Sequence, residues 1–170
     1  MNLRDYIRDV PDFPEPGIVF KDITPLLSNV KAFDHTISLL AEKYRVAAFD
    51  AIALVESRGF LFGAPLAREL GKSIVPIRKP GKLPAETYTT DYALEYGTNT
   101  LEIHVDGVEN GQKFLIMDDL LATGGTLAAT ARLVEMGGGI VSGIGVVVEL
   151  SFLHGRKNLS EYDINSLIQY

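Results

Sequence analysis

The sequence predicts an α/β fold in which a mostly parallel central sheet is flanked by helices. Short apolar runs typical of buried strands alternate along the chain with longer segments whose apolar residues recur at helical spacing. Glycines end two of these helical segments, at Gly71 and at residues 137–139. Strands that alternate with helices form a parallel sheet covered on both faces.

In the first half of the chain, an extended arm is predicted over residues 10–20, because its prolines exclude a helix. Ser28 is the expected N-cap of a helix over residues 30–44, where apolar side chains recur every three or four positions. Three elements are expected next: a strand at Ala51–Val55, a helix at Arg58–Leu70 and a strand at Ser73–Ile77.

In the second half, residues 78–97 form a long polar stretch that we expect to be a loop, and loops of this length are often lids or binding loops. The alternation of Leu101, Ile103 and Val105 predicts a half-buried strand. The remaining expected elements are a buried strand at 114–117, a helix at 126–136 and strands at 140–150 and 163–169.

The composition fits a single domain over residues 1–170. Of the 170 residues, 46% are hydrophobic and 22% are charged, close to the average for globular proteins. There is no cysteine, which excludes disulfides and thiolate metal sites. Lys and Arg number 16 against 22 Asp and Glu, and this acidic balance disfavours a nucleic-acid partner. No apolar run approaches the roughly 18 residues of a membrane span, so we expect a cytoplasmic protein without a membrane partner.

The most informative segment is residues 114–126, Phe-Leu-Ile-Met-Asp-Asp-Leu-Leu-Ala-Thr-Gly-Gly-Thr. A buried strand leads to two adjacent acids, and a loop without bulky side chains then leads into a helix. Main-chain N–H groups of such a loop can approach an anion, and the helix N-terminus adds roughly half a positive charge. Ligands of parallel sheets bind beyond the carboxyl ends of the strands. We therefore predict a phosphate loop made of Ala122, Thr123, Gly124, Gly125 and Thr126.

The same residues also fit a simpler interpretation. A generic Thr-Gly-Gly turn can also be a simple connection in which Asp118 and Asp119 cap the helix. Two other phosphate motifs fail: a Walker loop needs a glycine where this chain has Leu66, and the dinucleotide fingerprint lacks its third glycine around Gly143. The two acids would repel a phosphate directly but suit sugar hydroxyls or Mg²⁺ beside it.

Segment 114–126 closely resembles the phosphoribosyl-pyrophosphate (PRPP) signature of type I phosphoribosyltransferases. Residues 13–25, 56–63, 77–84 and 94–97 resemble the adenine phosphoribosyltransferase family, in that family's order, so the resemblance covers nearly the whole chain. It implies the type I phosphoribosyltransferase fold, with a small N-terminal hood at about residues 1–30 and a catalytic loop at about 79–97. The implied reaction is that of a pentosyltransferase of purine salvage: PRPP and adenine give AMP and pyrophosphate.

The resemblance also implies roles for single residues. It places the 5′-phosphate on the phosphate loop, and the ribose hydroxyls and Mg²⁺, held directly or through water, near Asp118 and Asp119. Glu95 is implied to be the general acid/base that serves adenine N7, with Tyr96 beside it on a lid that excludes water. Arg58 is implied to be catalytic. Pyrophosphate is expected on Ser57, Arg58, Arg78, Lys79 and Lys82.

Adenine is expected in the hood by the same resemblance. Main-chain groups of Val19 and Lys21 can read the edge of the base, and Phe20 and Leu120 can cover its faces. Some relatives have arginine in place of Lys21; lysine serves equally if the main chain reads the base, and affinity differs if the guanidinium matters. In relatives, the residue that matches Arg78 reaches the neighbouring subunit's site, which implies a homodimer.

Two other functions stay open on the sequence. A PRPP-binding regulator of gene expression would keep the same pocket, although the acidic charge and the lack of a separate DNA-binding segment disfavour it. An enzyme of the same fold that acts on xanthine or guanine would usually carry a different hood from Val19-Phe20-Lys21.

Overall fold

The fold is that of a computed structural model, which describes residues 1–93 and 98–170. The strands are β1 (Arg8–Pro11), β2 (Val19–Asp22), β3 (Ala51–Val55), β4 (Ser73–Ile77), β5 (Thr87–Ala93), β6 (Thr98–His104), β7 (Lys113–Leu121), β8 (Ile140–Glu149) and β9 (Ile164–Gln169). The α-helices are α1 (Thr24–Ser28), α2 (Val30–Tyr44), α3 (Arg58–Leu70) and α4 (Gly125–Met136). Among the described residues, no helix is long and apolar enough to cross a bilayer.

A five-stranded sheet in the order β4-β3-β7-β8-β9 forms the centre, and each neighbouring pair in it is parallel. Alternate residues of β3 point to opposite faces of this sheet, as the period of two in a strand requires. Ala53 and Val55 join a core that α4 completes, whereas Ile52 and Leu54 join a second core with α2 and α3. The predicted class, a mostly parallel sheet between helices, is confirmed.

The hood begins with a two-stranded antiparallel ladder, in which Arg8 pairs with Asp22 and Pro11 pairs with Val19. Both ends of the predicted extended arm are therefore extended, as its prolines indicate. The carboxylate of Asp22 accepts hydrogen bonds from the hydroxyl of Thr24 at 2.6 Å and from its main-chain N–H at 2.9 Å. These two bonds, with the guanidinium of Arg8, lower the pKa of Asp22 to about 2.

The predicted N-cap at Ser28 is wrong, because a short helix that the sequence analysis did not predict occupies that residue. Ser28 is the last residue of α1, and its hydroxyl donates to the carbonyl of Thr24 at 2.8 Å. Asn29 caps α2 instead, since its side-chain oxygen accepts from the N–H of Ala32 at 3.0 Å. α1 has five residues with a proline in its first turn, too few for a helical pattern to show.

The expectation of a loop over residues 78–97 is also wrong in part. β5 occupies Thr87–Ala93 and pairs antiparallel with β6. Its sequence, Thr-Tyr-Thr-Thr-Asp-Tyr-Ala, is rich in the β-branched and aromatic residues that strands favour. The buried strand predicted at 114–117 extends over Lys113–Leu121, so Asp118 and Asp119 belong to β7 itself.

Candidate active site

A cavity lies at the carboxyl ends of β3 and β7, which are neighbours in the sheet. Because the two strands are parallel, the segments that follow them leave the sheet at the same edge. The cavity is lined by residues 56–58 after β3, by Lys79 after β4, by Tyr92 and Leu101 of the β5–β6 pair, and by residues 118–127.

The phosphate loop forms one wall of this cavity. Gly124 adopts φ +85°, a left-handed conformation that favours glycine, and a Cβ there would lie 2.5 Å from the carbonyl oxygen of Gly155. α4 begins at Gly125, and no side chain of the described residues caps this end of the helix. The first N–H groups of the helix are therefore free of a side-chain partner, as an anion site at a helix N-terminus requires.

Asp118 and Asp119 lie near the carboxyl end of β7 and line the cavity, although only 7% and 4% of their surfaces are exposed. Asp118 Oδ1 accepts the N–H of Asp119 at 2.8 Å, and Asp119 Oδ2 lies 3.0 Å from Nε of Arg58. Burial, together with the neighbouring charge of Asp119, raises the pKa of Asp118 well above its usual value. Burial also raises the pKa of Asp119, and the guanidinium of Arg58 opposes this effect. Burial thus disfavours the ionised forms of the two carboxyls, and a cation or hydroxyl donors beside them would stabilise the negative charge.

Glu56 organises the cationic side of the cavity. Its Oε2 accepts the N–H of Lys79 at 2.8 Å and lies 3.3 Å from Nε of Arg78. Burial alone would raise the pKa of Glu56, but the hydrogen bonds from Lys79 and Arg78 outweigh it and lower the pKa. Lys82 adds a further positive charge that acts in the same direction. The Glu56–Ser57 peptide bond is cis.

Arg58 connects this site to the hood. Its guanidinium carbon lies 5.7 Å from the ring centroid of Phe20, and its Nε makes the ion pair with Asp119. The ammonium of Lys21 is engaged elsewhere, 2.6 Å from Asp9 Oδ1 and 4.0 Å from the ring centroid of Tyr170. The side chain of Lys21 is therefore engaged by β1 and by the aromatic ring of Tyr170.

Comparison with known proteins identifies the family. Residues 23–168 match the family model described as "Phosphoribosyl transferase domain". The adenine phosphoribosyltransferase of Kosmotoga olearia is 57% identical over 170 residues, which are 100% of each chain. The chain belongs to the adenine phosphoribosyltransferase family.

Solved structures of adenine phosphoribosyltransferases agree with this result. The enzyme from Thermoanaerobacter pseudethanolicus is 58% identical, with a TM-score of 0.96 over 99% of this chain and 98% of that chain. The Saccharomyces cerevisiae enzyme was solved in complex with adenine and an imino-altritol bisphosphate. It is 38% identical, with a TM-score of 0.91 over 97% of this chain and 96% of the yeast chain.

The structure brings many of the residues expected from the family pattern to the cavity. Its lining includes Ser57, Arg58, Lys79, Asp118, Asp119, Leu120 and residues 122–126. The other expected residues that are described, Val19, Phe20, Lys21, Arg78 and Lys82, are not part of the lining. Phe20 and Arg78 nevertheless contact residues that are, namely Arg58 and Glu56. Glu95 and Tyr96 lie outside the described residues.

Sequence reasoning missed two residues of the cavity that matter for its shape. Glu56 belongs to a sequence motif, but its role as the acceptor for Lys79 and Arg78 depends on two segments, after β3 and after β4, that meet in space. Tyr92 falls in the stretch for which the sequence predicts a loop, whereas β5 carries it to within 3.3 Å of where a Cβ on Gly125 would lie. The β-branched and aromatic residues of β5 are the sequence signal that indicates a strand here.

Proposed function

We propose that this chain transfers the phosphoribosyl group of PRPP to adenine, giving AMP and pyrophosphate. The observation that carries the proposal is the phosphate loop at the carboxyl end of β7, beside a buried acid pair and a cluster of cations. One wall of the cavity thus suits a phosphate and another suits a leaving pyrophosphate. The adenine in the yeast relative's structure supports the choice of base.

In the proposed reaction, the bond from C1′ to the pyrophosphate oxygen breaks, and a bond from a ring nitrogen of adenine to C1′ forms. The base loses one proton, and pyrophosphate leaves with the bonding electrons. Arg58, Lys79 and the more distant Lys82 stabilise the departing negative charge, because fixed cations act before the charge develops. Arg58 is the catalytic residue among them, since it also contacts the acid pair and the hood.

Asp118 and Asp119 would bind the ribose hydroxyls, because the pair precedes the phosphate loop in sequence and lines the same cavity. The same pair would hold Mg²⁺, directly or through water, since a cation beside two buried carboxyls would favour their ionised forms. Within the described part of the chain, no group of three or more acidic or histidine side chains could hold a metal alone. Two carboxylates with substrate phosphates are a usual environment for Mg²⁺, which neutralises phosphate charge when it is bound.

Adenine would lie in the hood, where main-chain groups of Val19 and Lys21 read its edge and Phe20 and Leu120 cover its faces. The engaged ammonium of Lys21 supports readout by the main chain. From the family resemblance, Glu95 would serve adenine N7 as general acid/base, and Tyr96 would lie beside it on the lid. General acid–base help is typically worth 10²–10⁴-fold, so Glu95→Gln should lower turnover by about that factor.

A homodimer in the cytoplasm completes the proposal. Arg78 would reach the neighbouring subunit's site, and its side chain retains 32% exposure beside Glu56. A cytoplasmic location suits an enzyme whose substrate, PRPP, is too highly charged to cross a membrane. Sedimentation should give a dimer with activity, and an active monomer would contradict this part of the proposal.

An assay of pyrophosphate release tests the function. The protein is mixed with Mg²⁺, PRPP and one purine at a time: adenine, hypoxanthine, guanine or xanthine. We expect pyrophosphate release in the mixture that contains adenine and none in the mixtures that contain the other three purines. Release with another purine in place of adenine would indicate a different base specificity, and PRPP binding without release would indicate a regulator.

A further inference from the structure

The segment that follows β8 packs directly against the phosphate loop. It consists of two 3-10 turns, Ser151–Leu153 and Gly155–Leu159. Asn158 Nδ2 donates a hydrogen bond to the carbonyl of Thr123 at 2.8 Å. A Cβ at Gly155 would overlap the carbonyl oxygen of Ala122, and a Cβ at Gly124 would lie 2.5 Å from the carbonyl oxygen of Gly155. The two segments therefore approach each other more closely than any residue with a side chain would allow at Gly124 or Gly155.

An ion pair between the exposed Arg156 and the buried Glu149 holds this segment in place. Arg156 donates from Nε and Nη2 to the two carboxylate oxygens of Glu149, both at 2.7 Å, in the bidentate arrangement that gives strong pairs. Its Nη1 donates to the carbonyl of Ile164 at 3.1 Å. The hydroxyl of Ser166 donates to Glu149 at 2.6 Å. Only 4% of Glu149 is exposed, and Arg156 lowers the pKa of its carboxyl, so the pair is ionised at neutral pH.

The ion pair and the phosphate loop are adjacent. Glu149 is the register partner of Leu121, the residue that precedes the loop, and the N–H of Leu150 donates to the carbonyl of Leu121 at 2.9 Å. The loop is thus anchored at its start by β8 and in its middle by Asn158 and Gly155.

A loop that binds an anion through its main chain needs such support. Several N–H groups must converge on one point, and glycine loses more conformational freedom on ordering than other residues. Supporting contacts that fix the loop before the anion arrives increase its affinity, because less order has to be imposed on binding.

We propose that Asn158 and Arg156 are positioning residues that hold the phosphate loop in the conformation that binds the 5′-phosphate. Neither residue is part of the wall of the catalytic cavity. Asn158 acts through the carbonyl of Thr123, and Arg156 acts by fixing the turn that carries Gly155 and Asn158. The inference rests on the proposed function, which puts the 5′-phosphate on this loop.

Binding of two partial ligands separates this role from a general loss of structure. Asn158→Ala should weaken the binding of ribose 5-phosphate, measured by calorimetry, by about five- to tenfold, the effect of one lost hydrogen bond. Pyrophosphate, which the cations after β3 and β4 would bind, should keep its affinity within about twofold. The matched control is Asn110→Ala, which should change neither affinity. Asn110 lies in an exposed turn before the amino end of β7, whereas the phosphate loop follows the carboxyl end of that strand.

Arg156 is tested by steady-state kinetics. Arg156→Met should raise the KM for PRPP by about tenfold and leave the KM for adenine within about twofold, and Arg156→Lys should recover part of the loss. In the double variant with Asn158→Ala, the two effects on the KM for PRPP should be less than multiplicative, because both act through one loop. Arg45→Ala, which breaks an exposed ion pair with Glu69, is the control for loss of an arginine.

The outcomes distinguish the inference from the function on which it rests. If the wild-type protein has no activity with adenine and PRPP, the proposed function fails. If the wild type is active and Asn158→Ala binds ribose 5-phosphate normally, or binds ribose 5-phosphate and pyrophosphate equally weakly, the positioning role is wrong. Asn158 is exposed, so its truncation gives a folded protein even if Arg156→Met does not fold.

Discussion

Arg58 is the residue that joins the parts of the active site. It follows β3, pairs with Asp119 at the end of β7, and lies over the ring of Phe20 in the hood. A charged group between a buried carboxylate and an aromatic face is held by both, through ionic and cation–π attraction. The sites expected for pyrophosphate, ribose and base therefore all adjoin the guanidinium of Arg58.

The acid pair gives the first prediction. The double variant Asp118→Asn plus Asp119→Asn should lower kcat by at least about 100-fold, because it removes the negative charges proposed for the ribose and Mg²⁺ side of the site. Initial rates of pyrophosphate release measure the effect. Asp34→Asn, on the exposed face of α2, is the control and should retain full activity. Near-normal turnover in the double variant would remove the role assigned to the pair.

Single residues also show how far the sequence predicts this site. The predicted phosphate loop is one contiguous segment, so its spacing and glycines were sufficient to predict that it connects a buried strand to the start of a helix. Glu56 and Asn158 act through contacts with residues 23 and 35 positions away. Arg156 acts through contacts with β8 and β9, at residues 7 and 8 positions away. No local pattern records these contacts. For Lys21, the family resemblance indicates a role in the hood, but the sequence does not predict that its side chain contacts Asp9 and Tyr170.

At the scale of elements, the N-terminus of α3 depends on a glycine. A Cβ at Gly59 would lie 2.8 Å from the carbonyl oxygen of Met117 and 3.1 Å from Asp118 Oδ1. The absence of a side chain therefore lets α3 start against β7, with Arg58 beside the acid pair. The close approach of the helix and the strand, rather than the backbone angles of Gly59, requires glycine here.

Gly59→Ala accordingly sets two effects against each other. Alanine is the better helix former, by at most about 1 kcal/mol. Overpacking against a main-chain carbonyl typically costs about 1–3 kcal/mol and would displace Arg58. We expect the packing effect to dominate, with Tm lower by about 2–8 °C in thermal unfolding and with reduced kcat. Ala64→Ser, on the exposed side of the same helix, should have little effect on either, and an unchanged or raised Tm for Gly59→Ala would show that the approach is looser than described.

The hood gives a prediction about pH. The pKa of Asp22 is lowered to about 2 in the folded protein, from its ordinary value of 3.8. A carboxyl with a lowered pKa stabilises the fold above its unfolded pKa, and this contribution disappears as pH falls through the folded pKa. Asp22→Asn should therefore lower Tm by about 2–4 °C at pH 7, and the difference from wild type should shrink from about pH 4 to about pH 2. A difference that is constant down to pH 2 would mean that the charge of Asp22 contributes nothing.

For the whole molecule, the hydrophobic pattern and the glycines and prolines that end helices and strands were enough to predict the central sheet and the helices α2, α3 and α4. β3 and β7 are buried on both faces, and their continuous apolar runs are typical of central parallel strands. β5 and α1 could not be predicted in the same way. β5 is a half-exposed strand with a polar sequence, stabilised by pairing with β6, and α1 is shorter than two helical turns. Elements that are stabilised mainly by tertiary contacts have the weakest hydrophobic periodicity in the sequence.

The account depends on the phosphate loop binding the terminal phosphate of the nucleotide, and a crystal structure with AMP tests this most directly. The account predicts the 5′-phosphate within hydrogen-bond distance of main-chain N–H groups of residues 122–126, with the ribose hydroxyls toward Asp118 and Asp119. An AMP phosphate bound elsewhere, with the loop closed by packed side chains, would contradict it.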